Sequence, residues 1–591
     1  MLSGCNRLIK RGQSPDEESP ESIFNYRETP SDGPQYISET CRVWGLKYAR
    51  AEGIGLATDL DGTGSAANPG AYREHLLAEM RTREIENSRE LVESKNSEVV
   101  ICRGYVPPGI RKGDFYDVEI LLAPGMDGTS LEDGFVTKTR LRPLAKFGKR
   151  TLKEGLVVGL VQGPILVDSI YETREGDDNQ LRGWILGGGV VLEDRPLGLT
   201  VRKHNFGIKT STMISRALNA RFKTLTSQGR EGIAKPTRSS DRVNILLPDV
   251  YENNVKRFSQ VISNVMYGET AQQRVDRLDE LAEAMTNPAT CQQAALRLEA
   301  IGKEGIPALK RSLNNPDVEI RFRAAEALAY CEQSDGLEIL KDVAATEPAF
   351  RWHALTALSV SEDSDAAKLL QDLMQMESAE TRYGAFRALH IRSPEHPAVY
   401  GERFDDFFMH SVPSTSKPMI HFSRSRRPEI VLFGDTKIGS NFIYVEKGLT
   451  IRSEGDGRIK LIQFSTQRGK EVEICSDDAV DFISTLAAHN FSYGKVLKIF
   501  REASKDESLE ARLVVDAVPN DNRQYDSENS EQYLADGHPE PPNSGSGSSN
   551  GTDKITRVNT ELVTGDTEPE ESGISSGFGK LKGLFSGKKS Y

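Results

Sequence analysis

Cysteine is scarce in this chain: there are six, at positions 5, 41, 102, 291, 331 and 475, with no C-x-x-C pair and no paired Cys/His spacing. That pattern carries no zinc-site signal and no dense disulfide framework. Long apolar runs are missing too, since none approaches the roughly 18 to 20 residues needed to span a bilayer. Any membrane contact has to come from an anchor or a surface helix. Hydrophobic residues make up only 37% of the 591, so a sizeable polar share belongs to linkers or tails rather than to a core. The net charge of −12 argues against a general nucleic-acid binder, because phosphate neutralisation needs clustered Lys and Arg. There is no Walker loop, no H-E-x-x-H and no G-x-S-x-G in a structured region. The nine histidines are scattered; His390 and His396 straddle a Pro-containing loop and are expected at the surface. Length alone allows about three to five domains.

At the start of the chain, Leu2-Ser3-Gly4-Cys5 reads as a bacterial lipobox, which would make Cys5 a lipidation site. The polar, Ser-, Glu- and Pro-rich stretch to residue 35 then reads as a flexible tether. A signal peptide needs a basic start and an apolar stretch before the cysteine, and only four residues precede Cys5. Either translation starts further upstream or the match is chance.

Residues 36–268 read as a mixed α/β module with strands punctuated by Gly and Pro. Gly53-Ile54-Gly55-Leu56 leads to Leu60-Asp61-Gly62-Thr63-Gly64, and Leu76, Leu77 and Met80 follow at helical spacing. Val99-Val100-Ile101-Cys102 reads as a buried strand closed by Tyr105-Val106-Pro107-Pro108-Gly109, and Phe115-Tyr116-Asp117-Val118-Glu119-Ile120 alternates. Ser130-Leu131-Glu132-Asp133-Gly134, Val161-Gln162-Gly163-Pro164-Ile165 and Leu199 to Phe222 come next, the last with Asn205, Phe206, Thr210, Ile214 and Asn219. In this order the series resembles the flagellar basal-body P-ring protein family. That family carries G-x-G-L then L-x-G-T-G, a P-P strand end, a G-D-x-x-D-V strand, an S-L-x-G-G turn, an A-Q-G-P-L strand and an L-x-L-x-N-x-D-F segment. Gly53, Gly55, Gly62, Thr63, Gly64, Pro107, Asp117 and Asn205 hold the motif positions. The S-L-x-G-G turn is spaced differently here, and the family's usual C-terminal part is replaced. The resemblance implies a structural, non-enzymatic subunit with no cofactor and no small-molecule substrate. Its copies would form a ring around the rod in the periplasm, beside L-ring-type proteins, with an outer-membrane lipid anchor if Cys5 is modified. The other reading is an envelope scaffold lipoprotein that reuses the module.

Asp59-Leu60-Asp61-Gly62-Thr63 also matches the D-x-D-G-T signature of haloacid-dehalogenase-type phosphatases. There the first Asp is the nucleophile, the second an acid/base, and magnesium neutralises the transferring charge. That chemistry needs a buried strand delivering both carboxylates, and Gly53 to Thr58, broken by two glycines, is expected to be a poor one. The further acidic pair at Asp177-Asp178 has no strand leading into it. A tight turn explains the same letters, since Asp and Gly favour turns and Gly tolerates positive φ.

Residues 269–398 change to a helical period with an internal repeat. Leu298, Leu328, Leu358 and Leu389 recur at spacings of 30, 30 and 31, and Leu309, Leu340 and Leu370 at 31 and 30. Pro316 and Pro348 mark repeat starts. The pattern resembles HEAT-type repeats stacked into an all-α solenoid, which offers an extended surface for a partner or serves as a rigid spacer. Residues 399–518 read as a small α+β domain, with Arg424, Arg426 and Arg427 on a solvated loop. Residues 519–575 are acidic and polar enough to predict disorder. In the tail, 576–591, Phe578, Leu581, Leu584 and Phe585 share one helical face among lysines. The expected fold class is therefore multidomain: an α/β module, a helical solenoid, an α+β domain and a disordered tail.

Overall fold

The computed structural model describes residues 33–66, 68–147, 151–171, 180–226, 229–238, 241–465 and 469–525. Cys5, the Asp177-Asp178 pair and the 576–591 tail lie outside the described residues.

The first half is built on antiparallel strands. Six of them, β2 (Ala49–Thr58), β3 (Glu98–Val106), β4 (Phe115–Leu122), β5 (Phe135–Phe147), β7 (Gly159–Pro164) and β8 (Arg182–Val191), pair in the order β2-β3-β4-β8-β7-β5. β5 then pairs back onto β2, through Ala51 with Pro143 and Ala57 with Val136, so the sheet closes into a barrel. A short strand β6 (Thr151–Glu154) extends the end of β5. Closure removes the sheet edges that would otherwise invite foreign strands. The barrel interior is filled by Val100, Cys102, Val118, Ile120, Val136, Leu141 and Val161, all buried. Helix α1 (Ala71–Thr82) covers the outside, with Tyr72, Leu76, Leu77 and Met80 against Ile54, Leu56, Val99 and Ile101. Both faces of β2 and β3 are thus covered. The mixed α/β expectation is therefore met only in part: the region is β-rich, and every pairing in this barrel is antiparallel.

β2 corrects the expectation that Gly53 to Thr58 makes a poor buried strand. It is long and mostly buried, and its glycines are what let β5 approach. A Cβ on Gly53 would lie 2.2 Å from the Arg140 carbonyl oxygen. The glycines thus permit barrel closure rather than interrupting the strand.

A second, four-stranded antiparallel sheet runs β10 (Ala234–Pro236), β11 (Arg242–Ile245), β9 (Leu197–Val201) and β1 (Cys41–Trp44). Helices α2 (Ile208–Arg221) and α3 (Val255–Ser263) pack on it through Ile214, Leu218, Phe258, Val261 and Ile262. From here the chain is helical: α4 (Ala271–Ala284), α5 (Pro288–Ile301), α6 (Ile306–Ser312), α7 (Val318–Tyr330), α8 (Leu337–Thr346), α9 (Pro348–Val360), α10 (Ser364–Leu373) and α11 (Ala379–Arg392). Local sequence starts these helices. Asn287, Asp317, Asp363 and Ser378 each accept a backbone N–H as N-caps, and Pro288 and Pro348 open their helices, where a missing N–H costs nothing. Leu298, Leu328, Leu358 and Leu389 fall on α5, α7, α9 and α11, and Leu309, Leu340 and Leu370 on α6, α8 and α10; all seven are fully buried.

The last third holds a five-stranded mixed sheet in the order β12 (Gly401–Arg403), β13 (Phe408–Val412), β15 (Glu429–Phe433), β14 (Met419–Phe422), β20 (Arg512–Val515). An antiparallel meander follows: β16 (Ile443–Glu446), β17 (Leu449–Gly455), β18 (Arg458–Ser465) and β19 (Gly469–Ser476). Helices α12 (Ala479–Ala488) and α13 (Tyr493–Lys505) complete it. The central strand β15 is buried along its whole length, as its unbroken Ile-Val-Leu-Phe run requires. Val431 and Phe433 join the core that contains the helices, whereas Ile430 and Leu432 join the core that contains the barrel interior, α12 and α13. One sheet therefore sits between the helical stack and the barrel.

Candidate assembly surface

The D-x-D-G-T letters form a turn. Asp59, Asp61 and Gly62 all have positive φ, at 64°, 43° and 86°, which Asp tolerates and Gly favours. The Asp61 carboxylate points to solvent, 93% exposed, with Lys447 at 3.9 Å. Asp59 accepts from the Thr58 hydroxyl at 3.0 Å. Thr63 locks the turn: its Oγ1 donates to the carbonyl oxygens of Leu60 and Ser130, at 2.7 and 2.8 Å. Gly64 lies against the Ser97 carbonyl, which leaves no room for a Cβ. No group of three or more His, Cys, Asp or Glu side chains is placed to hold a metal among the described residues. This is the geometry of a barrel corner.

The other motif residues are spread over the module rather than gathered into one site. Pro107 ends β3. Asp117 on β4 accepts the Gly187 N–H and the Arg426 N–H, each at 2.8 Å, so it ties the barrel to the loop before β15. Asn205 lies in a short 3₁₀ turn, Lys203–Asn205, just before the N-terminus of α2. Two large apolar side chains stand out beside it: Phe206 is 51% exposed and Ile208 is 74% exposed. A second apolar surface lies on the outer face of the meander, where Ile443, Val445 and Phe464 are 62%, 70% and 58% exposed.

Two polar clusters join the parts, and sequence reading found neither. In the first, Arg257 on α3 reaches Glu299 on α5 at 2.5 Å and Glu326 on α7 at 2.6 Å. Tyr251 donates its hydroxyl to Glu299 at 2.7 Å. The Arg257 guanidinium lies 4.6 Å from the centre of the Tyr330 ring. Burial pushes the Glu326 carboxyl up, but Arg257, His353 and Arg323 together pull it down and leave it below its ordinary value. Spacing gives no hint of such a contact, because Arg257 lies 42 residues from Glu299 and 69 from Glu326 in the chain.

The second cluster modifies two expectations. His390 is half-buried, and Arg427 is half-buried on a loop where Arg426 is exposed: the Arg427 guanidinium contacts Nε2 of His390 at 3.0 Å, Nε2 of His410 at 3.2 Å and Glu429 at 2.6 Å. Arg424 stacks over the Tyr171 ring at 4.7 Å. Tyr383 donates to Glu429 at 2.7 Å, and the fully buried His421 stacks on Tyr383 at 3.4 Å. Burial lowers His421 to about 3; burial and the neighbouring Arg427 charge lower His390 to about 4.

Among the described residues no helix is long and apolar enough to cross a membrane. The described cysteines 41, 102, 291, 331 and 475 are free thiols.

The family model of the flagellar P-ring protein matches residues 36–277, from the residue before the small helix Ile37–Thr40 to the middle of α4. The flagellar P-ring protein of Wolinella succinogenes is 24% identical over 194 residues, 32% of this chain and 52% of the relative. That of Helicobacter hepaticus is 25% identical over 195 residues, 32% of this chain and 51% of the relative. The chain thus spans about half the length of these curated relatives. The stacked helices from α5 onward, the mixed sheet and the meander lie outside the match.

Proposed function

We propose that this chain, similar to flagellar P-ring proteins through residues 36–277, is a structural, non-enzymatic subunit of a flagellar basal-body ring. Copies of it surround the rod in the periplasm, next to L-ring-type proteins, and support motility. The observation that carries the reading is the family match over the barrel, the small sheet, α2 and α3. The turn geometry of Asp59 and Asp61 favours it over phosphoryl transfer, which needs its carboxylates held beside a metal. Copies meet through Phe206 and Ile208, the exposed apolar pair inside the matched segment, since apolar surface held in water gains by burial against a neighbour. The helical repeats beyond α4 and the 399–518 domain lie outside the matched segment.

The test is complementation of a deletion strain. The wild-type chain should restore swimming and a ring visible by electron microscopy of purified basal bodies. Ile208→Asp should give a folded protein with an unchanged melting profile and no ring. Full motility of the deletion strain itself would end the flagellar reading. Rings formed normally by Ile208→Asp would end the contact assignment alone.

A further inference from the structure

After β20, residues 516–525 stay on the molecule. The chain turns at Asp516, whose φ is 55°, and runs without helix or strand past α11, α9 and α7 toward α3. The Ala517 N–H donates to Nε2 of His421 at 3.0 Å. Pro519 lies on Gly384 of α11, where a Cβ would come within 2.9 Å of the proline ring. Arg523 then forms a two-pronged pair with Glu380, at 2.7 and 2.5 Å. Arg351 holds the same carboxylate from α9, at 3.2 Å. Two residues on, the Tyr525 ring stacks on Phe350 at 4.5 Å, and Phe350 stacks on Phe322 of α7 at 4.3 Å. Lys256 on α3 reaches Asp521 at 3.9 Å and Asn522 at 3.5 Å.

Between this segment and the helices lies a cleft of about 450 Å³, lined by Arg257, Gln260, Gln292, Arg323, Glu326 and His353 among others. Protein interiors tolerate few voids larger than a water molecule. The segment is thus anchored at separate points over a groove that it does not fill. The anchors have the chemistry of linear-peptide recognition. A guanidinium is read by a fixed, planar carboxylate, and an aromatic ring two residues later is read by a stack of two phenylalanines.

We propose that the face formed by α7, α9 and α11 is a receptor for an extended Arg-x-Tyr peptide, and that residues 519–525 occupy it in cis. The trans occupant it fits is the same segment of a second copy of this chain. The contacts are identical in either arrangement, so exchange between copies costs little beyond opening the turn at Asp516. A tethered ligand competes at an effective concentration of about millimolar, so the cis segment keeps the groove closed in isolated subunits. High local concentration, as in an assembly, favours exchange. This inference does not depend on the ring reading, because it concerns helices outside the family match.

Two full-length variants test it. One, Glu380→Gln with Phe350→Ala, has a disabled groove and an intact segment. The other, Arg523→Ala with Tyr525→Ala, has an intact groove and a disabled segment. A labelled synthetic peptide of residues 517–528 should bind the segment-disabled variant at least about tenfold more tightly than the wild type, whose groove is occupied. It should not bind the groove-disabled variant. Mixing the two variants should produce a hetero-complex in analytical ultracentrifugation that neither forms alone, and excess peptide should dissolve it. Circular dichroism and melting curves show whether both variants are folded, and single substitutions replace any double variant that is not. Equal peptide binding by wild-type and segment-disabled chains, or none by a folded segment-disabled chain, overturns the receptor. Peptide binding without hetero-complex formation overturns the second copy as its occupant.

Discussion

At the residue scale, the least visible feature in the sequence is the set of imidazoles packed against other side chains. His421 accepts a backbone N–H through Nε2 inside a stack with Tyr383, which requires the neutral ring. Its folded value is about 3 and that of His390 about 4, against about 6.5 in an unfolded chain. Between pH 6.5 and 4 the unfolded chain therefore binds more protons than the folded one. Stability rises with pH in that window, by up to about 1.4 kcal/mol per pH unit for each such group. It is complete above pH 6.5 and is lost as pH falls. Urea midpoints measured from pH 7.5 to 4.5 should fall on acidification, and His390→Gln should flatten the slope. A midpoint unchanged to pH 4.5 would contradict this assignment. Sequence reading placed His390 at the surface because a Pro-containing loop follows it. Nothing local reveals that Arg427, 37 residues later, folds over it.

Among elements, the decisive contact is the one between α3, inside the family match, and α5 and α7, beyond it. Arg257 bridges two buried carboxylates, Glu299 and Glu326, and Arg323 and His353 also lie beside Glu326, at 3.9 and 3.7 Å. Removing one partner of a buried pair leaves the other charge unpaired in a low-dielectric setting, at a cost of about 3–5 kcal/mol. Arg257→Ala should lower unfolding free energy by that amount in a denaturant titration. Replacing all three with apolar residues of similar volume should cost far less, since no charge is then stranded. A loss below about 1 kcal/mol for Arg257→Ala would show that water reaches the cluster. The helices themselves were legible: Leu298, Leu328, Leu358 and Leu389 recur at one period, and all are buried. The cap residues Asp317 and Ser378 also act locally. The ion cluster was not legible, because charged residues on a helix are read as solvated unless a partner is known.

For the whole molecule, the cores cross the boundaries that composition suggests. One hydrophobic cluster joins Leu199 and Phe258 of the first half to Leu358 of the helices and Phe433 of the mixed sheet. Another joins Val118 inside the barrel to Phe422, Phe482 and Phe500. Residues 36–277 expressed alone would lack the helices that cover Tyr251 and Arg257, both buried here. That fragment should unfold at lower denaturant than the full chain and show weak amide protection in α2 and α3 by hydrogen exchange. Protection equal to that of the full chain would mean that the first half is self-sufficient.

The sequence by itself determined the local choices: strand periods such as Phe115 to Ile120, helix starts at Asn287 and Asp317, the Asp-Gly turn at 59–62, and the ordered motifs of the first half. These depend on backbone preference and on which face of one element is apolar, both written in neighbouring residues. The tertiary structure alone decided that β5 returns to β2 to close a barrel, that Gly53 is there for its neighbour's backbone, and that one sheet sits between two cores. It also decided that residues 519–525, as polar as any tail, lie down in a groove. Composition predicts disorder there because the segment has little apolar surface to bury. Its order comes instead from partners on helices more than 100 residues earlier, Glu380 and Phe350. Contacts over such separations depend on how the chain is folded and are not encoded in any local pattern.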